Sequence, residues 1–354
     1  MKVLIIGPLK EPITGVTVSN DLLIKELTER NIYVDFINTT LPFFQENVGR
    51  FSLNKLFLNI SLYFKAYKIF NKDVIYITSG QSFFGVIKYL PYIFIGCLLK
   101  KDIVFHLHGN LLLETYSKLY GLKKRLFAYS IRSCTKGIVL SESLKKNLIP
   151  FIDETKIFIV SNFVESKFIL SEEEVFEKGT EELRILYLSN LMTEKGVFVF
   201  FKALSYLKRD KVNYRCKIAG NIDDKISKDI LSIIKSDPHI EYLGVVMDNQ
   251  KRDLLKWGNL FVFPSIQIEG LPISILEAMG SGNHIISTRQ DALLDIFQNN
   301  EINFVESGSA IDIYKVILIN NFDHTQLKIN HKIITDNFNE QDFVNNVLKV
   351  FKSK

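Results

Sequence analysis

The stretch that decides the fold is Pro264–Thr288, PSIQIEGLPISILEAMGSGNHIIST, entered from the apolar run NLFVF at Asn259–Phe263. NLFVF reads as a buried strand and HIIST (His284–Thr288) as the next one, with a loop and a helix between them. Pro272 is placed as the first residue of that helix, where its missing N–H is no loss, and Gly280 and Gly282 break it. Glu269 then lies in the loop and Glu277 roughly a turn and a half into the helix. Two carboxylates thus stand across a helix start at the end of a buried strand. Open α/β sheets bind ligands there, and free N–H groups at a helix start attract phosphate. The chemistry suits a nucleotide sugar. Glu277 can accept hydrogen bonds from two ribose hydroxyls, Glu269 can hold sugar hydroxyls, and the amides of Gly270, Leu271 and Ile273 would face the diphosphate. Taken singly, each glutamate reads equally well as a solvated charge. The spacing, the Gly-Leu-Pro and the small-residue helix end shift the balance.

Working outward, the same strand-then-ligand-residue pattern recurs. RILYLSN (Arg184–Asn190) is a strand, LMTEKGV follows, and an apolar-periodic helix is expected from about Gly196 to Leu207. Lys195, next to Gly196 at that helix start, is placed to set a compact positive charge on a diphosphate. A solvent-exposed lysine is the plain alternative. Asn190 can donate a neutral hydrogen bond there. YRCKIAG (Tyr214–Gly220) and IEYLGVV (Ile240–Val246) read as further strands, with Val246 able to pack on a flat base. In the first half, KVLIIG opens a βαβ unit, and Gly15 lies at a loop-to-helix junction that permits close backbone approach to a ligand. A simple turn glycine serves equally well as an explanation. VIYIT (Val74–Thr78) and IVFHLH (Ile103–His108) follow, and His108, with Gly109 after it, ends its strand where side chains meet ligand. GIVLS and a helix SESLKKNLI come next, then KIFIVSNF, and Ser171 with Glu174 offers a capping box.

From Pro264 to Gly282 the sequence resembles the E-x7-E segment of the retaining family 4 glycosyltransferases. The resemblance extends to Glu194–Lys195–Gly196, to His108–Gly109 and to Val160–Ser161–Asn162. It implies a GT-B architecture: α/β, two Rossmann-like domains whose parallel sheets face a central cleft. The expected divisions are an acceptor domain over 1–165, a donor domain over 166–337, and a C-terminal helix over 338–354 packing back on the first domain. It further implies transfer with retention from a nucleotide-diphosphate sugar, a UDP-sugar favoured, to a hydroxyl of a glycan or lipid-linked acceptor in cell-surface polysaccharide synthesis. His108 would contact the donor sugar or phosphate and Lys195 the pyrophosphate. The departing phosphate would take the acceptor proton. Four positions depart from the family pattern. His284 stands for a proline, Asn190 for an arginine, Thr14–Gly15 for a glycine pair, and Arg289–Gln290–Asp291–Ala292 for a Gly-Gly turn. Arg289 is a candidate substitute for the missing charge. A sugar-nucleotide epimerase of the same fold, and a catalytically silent relative that binds a partner, are the alternatives.

Composition bounds the rest. A chain of 354 residues, 47% hydrophobic and 23% charged, is globular and long enough for two domains. Its three cysteines form no CxxC, so buried thiols in a reducing, cytoplasmic setting are expected. Neither the N-terminus nor the apolar run 89–99 reaches the length of a signal or a membrane span. Without DxD or ligand-spaced histidines, neither a metal nor a cofactor is expected, and the lack of GxGxxG removes the main support for a dinucleotide. Residues 1–165 carry 21 Lys+Arg against 13 Asp+Glu, and residues 166–354 carry 23 against 26, so the first half is basic and the second slightly acidic. Such a half faces something anionic. With no nucleic-acid module present, nucleic acid ranks last, behind an acceptor phosphate and the inner membrane face. Two stretches are candidates for membrane contact: the Phe- and Tyr-rich 51–71, whose alternative is a helix covering the sheet, and the basic, aromatic 116–136, whose alternative is a solvated face.

Overall fold

The computed structural model describes residues 1–9, 14–40, 60–179, 182–319 and 324–353. Most of the loop before Gly15 and residues 51–59 of the 51–71 stretch lie outside them. The chain forms two compact units, Met1–Asn162 with Gln341–Lys354, and Phe163–Glu340.

Unit 1 is a six-stranded sheet in the order β2-β1-β3-β4-β5-β6: β1 Lys2–Gly7, β2 Tyr33–Asn38, β3 Val74–Thr78, β4 Asp102–His106, β5 Lys136–Val139 and β6 Ile157–Ile159. Every pairing is parallel. β1 and β3 are almost wholly buried, which is why they read as unbroken apolar runs. Gly15 opens the helix Gly15–Glu29, one residue earlier than the apolar pattern indicates, because Thr14 and Thr17 close a capping box around it. SESLKKNLI forms no α-helix. Glu142–Asn147 is a 3-10 segment, and Pro150 disfavours helical backbone at the residue before it. The C-terminal helix Glu340–Lys352 docks on this unit through Phe343 against His106 and Phe351 against Tyr76.

Unit 2 repeats the plan in the order β12-β11-β10-β7-β8-β9: β7 Leu183–Leu188, β8 Tyr214–Ala219, β9 Ile240–Tyr242, β10 Leu260–Phe263, β11 His284–Thr288 and β12 Asn303–Val305. All its pairings are parallel too. Helix Val197–Arg209 puts Val197, Phe200, Leu204 and Leu207 into one core with Tyr187, Ile218 and Ile286 of the sheet. The expected capping box at Ser171 and Glu174 forms and starts the helix Glu172–Phe176. β9 is shorter than IEYLGVV: the chain turns at Gly244, whose φ of +70° ends the strand and leaves Val246 in the connection that follows.

Chain order fixes where a ligand would sit in unit 2. The path runs from β7 outward through β8 and β9, then returns to place β10 on the other side of β7. The loops leaving β7 and β10 therefore diverge to opposite sides of the sheet. Such a switch point opens a crevice at the carboxyl ends of the strands.

Candidate functional site

Lys195 and Glu269 belong to the two loops that leave this switch point. After β7 the chain makes a 3-10 turn, Thr193–Lys195, and reverses at Gly196, whose φ is +73°. A Cβ there would lie 1.9 Å from the carbonyl oxygen of Pro264, so only glycine lets this turn lean on the start of the second loop. The amides of Ile266 and Gln267 complete the clasp by donating to the carbonyl of Glu194 at 2.9 and 3.0 Å. The clasp brings the Lys195 ammonium to 2.5 Å from Glu269 Oε1. That oxygen also accepts from Ser265 Oγ at 2.8 Å and Gln267 Nε2 at 2.9 Å. Three donors converge on one carboxylate, two of them neutral. Glu269 thus keeps its place if Lys195 swings toward an incoming anion.

Gln290 secures the same loop from beneath. Its Oε1 accepts from the amide of Glu269 at 3.0 Å, and its Nε2 donates to Gln267 O and Thr288 Oγ1, both at 3.2 Å. Gln290 is buried. A buried side-chain amide thus braces the loop at the position where the family pattern carries Gly-Gly. Arg289 beside it is exposed, pairs with Glu306 at 3.3 Å and lies 5.9 Å over the Phe304 ring. It is engaged on that side in an ion pair with an exposed partner. Asn190 is exposed, with no side-chain hydrogen bond among the described residues.

Pro272 is not the first helical residue. Its ψ of 116° is extended, which makes it the cap of the helix Ile273–Gly280. No side chain caps this helix start. The amides of Gly270 and Ile273 have no hydrogen-bond partner among the described residues, the pattern of an anion-receptive terminus. Four residues on, Glu277 is 3% exposed. Lys251, from helix Asp248–Trp257, sits 2.6 Å from Oε1 in a hydrogen bond and 2.6 Å from Oε2 as an ion pair. The ammonium is therefore equidistant from both oxygens of the buried carboxylate. Burial pushes the Glu277 carboxyl upward and Lys251 pulls it back. Lys251 also lies 4.4 Å over the Phe168 ring, which fixes its approach. Neither Lys251 nor Gln290 stands out in the sequence. Lys251 is one cation among several on a polar helix, far along the chain from Glu277.

In unit 1, His108 falls two residues past β4. The residue keeps some exposure, but both ring nitrogens are buried and neither has a well-formed hydrogen bond. Burial pushes its pKa down to about 4, with Asn162 opposing. His106 stacks on it with centroids 4.0 Å apart, and Tyr76 meets His106 Nδ1 at 2.5 Å. Burial lowers His106 as well. His108 is therefore a neutral imidazole at physiological pH. It belongs to unit 1, as does Gly15, whereas Lys195, Glu269 and Glu277 are gathered in unit 2. Among the described residues no group of three or more His, Cys, Asp or Glu is arranged to hold a metal ion.

Residues 170–320, which hold the Lys195–Glu269 pair and the buried Glu277, match the family model for glycosyl transferases group 1. Among curated relatives, a Campylobacter jejuni N,N'-diacetylbacillosaminyl-diphospho-undecaprenol alpha-1,3-N-acetylgalactosaminyltransferase is 30% identical over 115 residues, 32% of this chain and 29% of that protein. The gpi3 subunit of phosphatidylinositol N-acetylglucosaminyltransferase from Schizosaccharomyces pombe is 24% identical over 162 residues, 45% of this chain and 34% of that one. The matches thus span about a third of the length of these relatives. Over its whole length the chain superposes on HepE of Anabaena, solved with UDP and glucose, with a TM-score of 0.74 at 15% identity and complete coverage of both chains. Sucrose-phosphate synthase of Thermosynechococcus elongatus gives a TM-score of 0.74 at 12% identity, covering 99% of this chain and 98% of the other. The fold is GT-B.

Proposed function

We propose that this protein is a retaining glycosyltransferase that moves a sugar from a nucleotide-diphosphate donor to a hydroxyl of a glycan or lipid-linked acceptor. The observation that carries the reading is the Lys195–Glu269 pair at the β7/β10 switch point, beside an uncapped helix start and a buried Glu277. In this reading Lys195 leaves Glu269 for the diphosphate, and the amides of Gly270, Leu271 and Ile273 add partial positive charge on the same side. Together they stabilise the phosphate that departs as the glycosidic bond breaks. Glu269, still held by Ser265 and Gln267, orients the sugar hydroxyls, and Glu277 accepts hydrogen bonds from the ribose hydroxyls. His108, neutral, supplies a hydrogen bond and no charge. The leaving phosphate oxygen accepts the acceptor's proton on the face where the new bond forms, so configuration is kept and no protein base is needed. Nothing in this scheme calls for a metal.

A uridine nucleotide is the favoured donor, supported by the UDP and glucose in the HepE structure. A lipid-linked acceptor in surface polysaccharide synthesis is supported by the undecaprenol- and phosphatidylinositol-directed names of the relatives. A thermal-shift screen of nucleoside diphosphates and their sugars tests the donor. At a hundred times its Kd, a native-state ligand adds about 2.7 kcal/mol of stability. UDP and one UDP-sugar should raise Tm by several degrees where GDP and ADP do not. No shift with any of them removes the donor site.

A further inference from the structure

We propose that the face of unit 1 built from helices Leu112–Lys118 and Gly121–Arg132 docks on an anionic lipid bilayer, with a phosphate-bearing headgroup seated in the cavity beside them. That cavity, of about 470 Å³, is lined by Tyr116, Lys124, Arg125, Ala128, Tyr129 and Arg132, with Gly121 at its edge. Three of these side chains are cationic and none is acidic. The second helix, GLKKRLFAYSIR, carries four cations and no carboxylate. The one acid of the first helix, Glu114, is already tied to Lys118. Lys124 rides 4.7 Å over the Tyr116 ring, and Arg132 donates to the carbonyl of Pro150 at 3.4 Å. Arg125 has no ionic partner among the described residues.

Charge alone would suit any small anion. The apolar side chains around the cavity favour the bilayer. Tyr120 and Leu122 are 84% and 71% exposed, and Tyr129 is about half exposed. Leu122, Arg125, Tyr129 and Arg132 recur at intervals of three and four residues, so they form one stripe along the helix. A free phosphate gains nothing from Leu122 or Tyr120. A membrane interface takes both kinds of group: the apolar tips enter the headgroup boundary while the cations pair with phosphates. Among the described residues no helix is long and apolar enough to cross a membrane, so attachment here is to the surface.

The test is co-sedimentation of the full chain, without nucleotide, with vesicles of phosphatidylcholine alone or with added phosphatidylglycerol. Each cation near an anionic surface contributes about a fivefold factor in partitioning. The protein should bind the anionic vesicles and leave the neutral ones, and added salt should weaken binding. Lys124→Gln with Arg125→Gln should lower the partition coefficient about 25-fold. Leu122→Asp should lower it about tenfold or more at unchanged salt. Equal uptake by neutral vesicles, or full retention by both variants, overturns the proposal. So does displacement by inorganic phosphate beyond that by chloride at equal ionic strength, which would mark a site for a free anion. All the altered residues are on the surface, and the salt and lipid series needs no variant. Because no donor is present, a negative result leaves the transferase reading untouched, and a failed donor screen leaves this one untouched.

Discussion

Replacing Lys251 with methionine should destabilise unit 2 in a way that depends on pH. Glu277 is 3% exposed and the Lys251 ammonium lies 2.6 Å from both carboxylate oxygens. At an effective dielectric constant of about 20, that contact is worth roughly 6 kcal/mol gross. Part of it offsets the cost of taking the two groups out of water, so removing one partner should cost about 3 kcal/mol. Protonation gives Glu277 an escape. Its folded pKa already lies above the ordinary value of 4.5, and losing Lys251 lifts it further. A carboxyl with a raised folded pKa binds more protons folded than unfolded, so its contribution is fully present below the unfolded pKa. It is lost as pH rises toward the folded one. The gap between native protein and variant should therefore be small near about pH 5 and widest near about pH 8. A loss of about 3 kcal/mol there lowers Tm by about 6–12 °C in a unit of this size. Urea and thermal unfolding at both pH values measure it, and Glu277→Gln added to the variant should restore most of the loss. An equal deficit at both pH values with no rescue would place the effect in lost packing on Phe168 and refute the ion-pair account.

Three further outcomes are expected. Lys195→Ala should leave Tm within about 1 °C, because the residue is partly exposed, yet lower kcat by about 10²- to 10³-fold; unchanged transfer would remove its phosphate role. Gly196→Ala places a Cβ 1.9 Å from Pro264 O at φ +73°, and should cost at least about 2 kcal/mol by urea unfolding. The His108 imidazole should show an NMR shift that is flat from about pH 8 to pH 5 and moves only toward its pKa of about 4. Depression below the ordinary 6.5 means this burial costs no stability above that pH and costs more as pH falls toward 4, so a midpoint near 6.5 would contradict the buried ring.

What was legible in the sequence was whatever local chemistry writes down. β10, the loop, the helix and β11 follow from apolar runs punctuated by Pro272, Gly280 and Gly282, and the alternation of such units gives two parallel sheets. Lys195 and Glu269 were readable as strand-end residues because each follows a buried strand. That they touch was not readable, since the contact depends on β10 returning to lie beside β7, a fact of sheet order. Tertiary partners escape for the same reason. Lys251 has no local mark that sets it apart from the other cations of its helix, and only burial of Glu277 makes it necessary. Arg289 is near enough in sequence to stand in for a missing charge, and its pairing with Glu306 beside the Phe304 ring could not be read from spacing. Gln290 is the instructive case. A turn expected to need two glycines for close backbone approach is braced instead by one buried amide that satisfies the amide of Glu269, Gln267 O and Thr288 Oγ1 together. Glycines would leave that loop free to close over a donor, whereas Gln290 fixes it beforehand. A site pre-formed in this way spends less ordering free energy on binding and tolerates fewer sugars. On the proposed transferase reading, the departure from the family pattern therefore predicts a narrower donor range.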